Sequence, residues 1–239
     1  MENVLLKNLM ATFKVSEEAF EKHMEYYNNH FNEYGNEIYE DIKTRLVHLS
    51  NFSETNWFNK RYDMLFRHYS TFDCIIEVGF SLPYLPLKEN KPLPKLIYVD
   101  TYQSALEISK EIMKGYGQDA RFIKGDIEEE ATWSSIREEV KGRTLLVAIE
   151  ILEHLENPDY FWKEVKNLNP SGIVISFPIG PKIPSHHSYF EGEDEVREYF
   201  ERYLVIEEEH IIEPENKSGR DLDKYKDLIV FGRLKGDVG

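Results

Sequence analysis

Four short stretches of this 239-residue sequence carry the residue types for ligand chemistry, each just after an apolar run: Glu77-Val78-Gly79, Asp100-Thr101, Gly125-Asp126-Ile127 and Glu150-Ile151-Leu152-Glu153-His154. A glycine such as Gly79 lets backbone approach a ligand closely, because it lacks a Cβ and tolerates positive φ. A carboxylate such as Asp100 can accept from both hydroxyls of a ribose, and Thr101 stands beside it. Asp126 can accept from an exocyclic amine of adenine while Ile127 packs on the ring face. Together these groups describe an adenosine pocket. Downstream lie His186-His187. Imidazoles titrate near neutral pH, so His154, His186 and His187 are candidates for a general base.

Such residues converge only if strands carry them to one edge of a sheet. Short apolar runs at 72–78, 95–100, 120–124, 144–150 and 172–177 read as strands, and apolar positions three and four apart at 104–115, 132–141 and 158–168 read as helices between them. A helix over 193–203 and strands over 204–212 and 227–234 follow. The polar stretch joining these last strands is too short for a helical crossover, so they should pair antiparallel. From Ser16 to Ser70 the sequence has helical spacing and no proline. The expected fold is α/β: a Rossmann-like seven-stranded mixed sheet of five parallel strands plus a C-terminal antiparallel hairpin, with residues 1–70 an N-terminal helical cap and 71–239 the sheet domain.

In an open α/β sheet, ligands bind outside the carboxyl ends of the strands where strand order reverses. The order and spacing of the four stretches resemble the class I S-adenosylmethionine-dependent methyltransferases over nearly all of residues 72–234. Glu77-Val-Gly79 looks like the family's first motif, Ile97-Tyr-Val-Asp100 like its ribose-binding acid, and Gly125-Asp126-Ile127 like its adenine-binding turn. Residues 148–158, from Ala148 through Glu150 to Pro158, are similar to the stretch after the fourth strand in many members. The resemblance implies S-adenosylmethionine as cofactor, held by Glu77, Gly79, Ser81, Asp100, Thr101, Asp126, Ile127 and Glu150, and methyl transfer to an oxygen, nitrogen or carbon of a small molecule. The chain departs from the family after Gly79, where Phe80-Ser81-Leu82-Pro83-Tyr84-Leu85-Pro86 replaces further glycines. A proline past the first turn breaks a helix, so the first crossover should be short, irregular or absent. Ser81 can serve there as a hydroxyl donor.

Two alternatives stand beside this reading. The missing glycines fit a catalytically silent binding or partner subunit. If the segment after the fourth strand turns helical, Glu150, Glu153 and His154 share one face. With His186 or His187 they then resemble the metal site of the small-RNA 2′-O-methyltransferases. The same Glu-x-x-Glu-His pattern also occurs in metal-free members, and no metal is assigned.

Formal net charge is -15, which repels nucleic acid and anionic membranes. Lys60-Arg61 and Lys163 with Lys166 read as solvated helix faces rather than a basic patch. No apolar run approaches the roughly 20 residues that span a bilayer. The opening Met1-Glu2-Asn3-Val4 has no signal-peptide pattern, and the single cysteine, Cys74, reads as an inert buried thiol, so a cytoplasmic location is expected. His23, His30, His48, His68 and His210 are expected in packing or at the surface. Aromatic residues of the N-terminal section, such as Tyr27, Tyr39 and Tyr62, are expected in its core more than in a substrate lid.

Overall fold

The computed structural model describes residues 2–30, 36–54, 56–89, 91–117, 120–182, 185–213 and 226–236. Four N-terminal helices, α1 (Glu2–Thr12), α2 (Glu17–His30), α3 (Ile42–Glu54) and α4 (Asn56–His68), precede the sheet. There follow β1 (Cys74–Val78), α5 (Tyr84–Lys88), β2 (Lys95–Asp100), α6 (Gln103–Tyr116), β3 (Ala120–Lys124), α7 (Glu130–Glu139) and β4 (Thr144–Ala148). The chain continues with α8 (Pro158–Leu168), β5 (Gly172–Ile179), α9 (Glu193–Glu201), β6 (Leu204–Ile212) and β7 (Lys226–Leu234).

The strand order is β3-β2-β1-β4-β5-β7-β6, with β1 to β5 parallel and β7 antiparallel to both β5 and β6. This is the seven-stranded mixed sheet expected. Strand order reverses between β1 and β4, where Val78 stands level with both Val99 and Ala148.

Because side chains alternate across a strand, each central strand serves two cores. Ile75, Leu96, Tyr98, Leu145 and Val147 face one, while Cys74, Ile76, Ile97, Val99 and Leu146 face the other. Complete burial of such an aliphatic side chain stabilises by about 1.5–3 kcal/mol. The second face is covered by α7, α8 and α9 through Trp133, Ile136, Phe161, Trp162, Val196 and Phe200. Local signals set these helices: Asn157 caps α8 by accepting from Tyr160 N–H at 3.2 Å, Pro158 opens it, and Asn169 closes it at φ 52°.

The first face is covered differently. The crossover after β1 is short, as the prolines predict: α5 has five residues. So small a helix cannot cover the sheet. Leu46, Val47 and Leu49 of α3 and Tyr62, Met64 and Leu65 of α4 join α6 in that core. The N-terminal helices therefore lie over the face that leads to the strand tips.

Candidate functional site

The rim at the carboxyl ends of β1, β2 and β3 holds the expected glycine and acids. Gly79 has φ 62°, and its N–H donates to Val99 O at 2.8 Å. A Cβ there would lie 1.8 Å from Ile151 Cδ1, so glycine is required both by the turn and by the packing of Ile151. Ser81 also has positive φ, 56°. Asp100 is 5% exposed and accepts from Ser81 N–H at 3.3 Å through Oδ2 and from Tyr102 N–H at 2.8 Å through Oδ1. Burial raises its carboxyl, opposed by the charge of Arg45 and by these two bonds. Each oxygen has one partner and retains a further acceptor site. Thr101 is exposed beside it.

The N-terminal helices reach the same loop. Arg45 Nη1 donates to Ser81 Oγ at 2.8 Å, and His48 Nδ1 lies 2.7 Å from the same oxygen. His48 Nε2 meets Tyr27 OH at 3.0 Å. Burial, then the neighbouring charges of Arg45 and Arg61, push the His48 imidazole down to about 3, so it stands neutral. His48 is thus a buried packing residue, and what it packs against is the Ser81 loop. Helix α3 is buried continuously from Thr44 to Ser50, leaving its polar residues no solvent face.

On the β3 side, Asp126 Oδ1 accepts from Glu128 N–H at 2.8 Å, holding the turn. Ile127 is 7% exposed and packs in the second core, while its carbonyl accepts from Trp133 Nε1 at 2.7 Å. Glu77 is 2% exposed, with Oε1 unpartnered, beneath the rim. Burial holds its carboxyl well above the usual range, against a hydrogen bond from Tyr62.

The β4, β5 and β7 tips form a separate ionic cluster. Arg61 Nη2 donates to Glu150 Oε2 at 3.0 Å and Arg61 Nε to Asp227 Oδ2 at 2.7 Å. Ser176 Oγ donates to Glu150 Oε1 at 2.8 Å and accepts from Glu150 N–H at 2.8 Å. Asp227 is fully buried and the Arg61 side chain is 12% exposed, so Arg61 is an internal cation rather than part of a solvated face. The reason is its place on α4, which packs on β7 and β5. Burial pushes both carboxyls up and Arg61 pulls them down.

Glu150 does not share a helical face with Glu153 and His154. It has φ 56°, which turns the chain out of β4, and only Leu152–His154 forms a single 3-10 turn. The structure instead groups Glu153, His154 and His186, whose ligand atoms all lie within 4.8 Å of one another. Glu153 is 1% exposed, and burial pushes its carboxyl up to about 8. His154 Nδ1 lies 2.9 Å from Ser185 O. A carbonyl only accepts, so Nδ1 carries the proton and Nε2 of the neutral ring keeps its lone pair. Burial lowers the His154 imidazole and pushes His186 down to about 3. His187 is exposed outside this group, and its N–H donates to Glu153 O at 2.7 Å.

The donor set fits an adenosine-bearing cofactor, since Asp100 keeps acceptor capacity beside the switch point with Ile127 one strand away. The group of one carboxylate and two imidazoles is a set that a divalent cation accepts.

By sequence, the chain matches no family profile and no curated protein. Its fold has solved counterparts. The N-methyltransferase NodS from Bradyrhizobium japonicum WM9, in complex with S-adenosyl-L-homocysteine, superposes with a TM-score of 0.55 at 15% identity, over 78% of this chain and 91% of that one. The small RNA methyltransferase HEN1 gives 0.56 at 14% identity, over 74% of this chain and 25% of that one. The [4+2]-cyclase SpnF gives 0.54 at 8% identity, over 73% and 80%. The chain has the class I, Rossmann-like methyltransferase fold. One architecture thus hosts different chemistries, and activity must be argued from the site.

Proposed function

We propose that this chain is a cytoplasmic S-adenosylmethionine-dependent methyltransferase acting on a small-molecule acceptor. The observation that carries the reading is Asp100, buried at the tip of β2 beside the switch point with one acceptor site left on each oxygen. Supporting it is the cofactor product bound to NodS on the same fold. S-adenosylmethionine supplies an electrophilic methyl group.

Each residue then has a task. Asp100 accepts from the ribose hydroxyls, Asp126 and Ile127 receive the adenine, and the Gly79 turn lets backbone come close. Thr101 borders the ribose, and Glu77 holds the floor of the site. Glu150 is engaged with Arg61 and Ser176, so its part is to shape the wall next to the acceptor. His154 takes the acceptor's proton at Nε2, with His186 packed edge-on against it at 5.0 Å. His187 lines the outer approach. The charge of -15 favours a small acceptor over a polyanion.

Isothermal titration tests the reading. Wild type should bind S-adenosylmethionine and S-adenosylhomocysteine, and binding of neither at millimolar concentration overturns it.

A second reading is favoured by the Glu153, His154 and His186 group: a metal-dependent methyltransferase acting on a ribose 2′-hydroxyl of RNA. Metal analysis of the purified protein separates the two. Bound metal lost in His154→Ala supports this version, and metal-free active protein removes it.

A further inference from the structure

Arg45 is 2% exposed, yet it makes no ion pair among the described residues. Its hydrogen-bond partners are all neutral: Nη1 donates to Ser81 Oγ at 2.8 Å, Nη2 to Tyr39 O at 2.8 Å and Nε to Ser104 Oγ at 3.3 Å. The rings of Tyr39 and Tyr102 lie 5.7 and 5.4 Å from its central carbon. A guanidinium has five N–H donors, so one on each terminal nitrogen is left over. The Asp100 carboxyl feels the charge of Arg45 but forms no ion pair with it, so the free N–H groups of this buried cation remain for a second anion.

The loop beside it keeps few backbone donors for that anion. The N–H groups of Gly79, Ser81, Leu82 and Tyr84 already donate to Val99 O, Asp100 Oδ2, Phe80 O and Leu82 O, and Pro83 has none. A glycine-rich loop that cradles a ligand does so with free amides. Here all but the Phe80 N–H are consumed, and Arg45 adds its own free donors at the same loop.

Position identifies the anion. Ser81 touches Asp100 through its N–H and Arg45 through its hydroxyl. A ribose on Asp100 with its base toward β3 directs its 5′ substituent the other way, to the β1 loop. In the proposed cofactor that substituent ends in an α-carboxylate. The geometry points to Arg45, with the Ser81 hydroxyl, as the group that holds the α-carboxylate of S-adenosylmethionine. A charge-assisted pair of this kind, supplied by the N-terminal helices, takes over from the missing glycines.

This assignment rests on the methyltransferase reading, and its test keeps the two apart. Isothermal titration is run with S-adenosylhomocysteine and with decarboxylated S-adenosylhomocysteine, which lacks only the carboxylate. Wild type should prefer the carboxylate form by roughly tenfold to a hundredfold. Arg45→Gln should abolish the preference while changing affinity for the decarboxylated ligand less than about threefold, and Arg45→Lys should restore part of it. A preference that persists in Arg45→Gln overturns the assignment. So does a wild type that binds both ligands alike, a result that does not depend on any variant folding. Binding of neither ligand by wild type overturns the methyltransferase reading itself.

Discussion

The two halves of the rim each receive an arginine from the N-terminal helices, and the two are treated in opposite ways. On the β4 to β7 side, Arg61 lies between Glu150 and Asp227 at 3.0 and 2.7 Å. On the β1 to β3 side, Arg45 is buried more deeply but bonds only to hydroxyls and a carbonyl. A buried charge whose partners are all present fixes the shape of the fold, and α4 is thereby pinned to the tips of β4 and β7. A buried charge whose partners are neutral leaves room for a charged ligand. The difference divides the rim into a part that holds the structure and a part that receives the cofactor.

Removing one member of the closed cluster should have the largest effect. Asp227→Ala takes from Arg61 one of its two hydrogen-bonded carboxylates, and thermal or denaturant unfolding should show a loss of about 3–5 kcal/mol. An unchanged unfolding midpoint would mean that the cluster is not structural and would erase the contrast between the halves.

Acid should weaken the other half through His48. Its folded imidazole stands at about 3 against 6.5 for a free one. A depressed group contributes stability that is present above pH 6.5 and is lost as pH falls through 3, because the unfolded state binds the proton first. Stability should therefore fall across that window by up to a few kcal/mol. His48→Gln should flatten the slope, and an equal slope in that variant contradicts the burial argument.

Asp100→Ala should weaken S-adenosylhomocysteine by roughly tenfold to a hundredfold, the loss expected for hydrogen bonds to a charged group, and should move the unfolding midpoint much less than Asp227→Ala. Equal affinity in the variant and wild type would place the nucleoside elsewhere. At the small end, Arg197 bonds Glu209 on the surface at 3.0 Å, and Arg197→Ala should change stability by less than about 1 kcal/mol and be masked by salt. This exposed pair calibrates how much of the Asp227 effect comes from burial.

The strands and their acids were legible because a buried parallel sheet writes itself as short apolar runs, and the acid after each run lies at the rim by construction. Asp100 and Gly79 stand where those runs place them. Three things were not legible. The direction of Glu150 depends on φ 56° at one residue, which its side chain does not announce. Arg45, His48 and Arg61 lie on helices whose polar positions read as solvent-facing, and only packing turns them inward. A signal did exist in α3: Leu46, Val47 and Leu49 flank Arg45 and His48 so closely that the helix has little face left for water. His186 and His187 are adjacent in sequence, and the loop decides which joins His154.

A crystal structure with S-adenosylhomocysteine bound tests the central claim most directly. The ribose hydroxyls should lie on Asp100, the adenine against Ile127 and the α-carboxylate on Arg45 and Ser81. A nucleoside bound away from the tips of β1 to β3, or no ligand density from crystals soaked at saturating concentration, would contradict it.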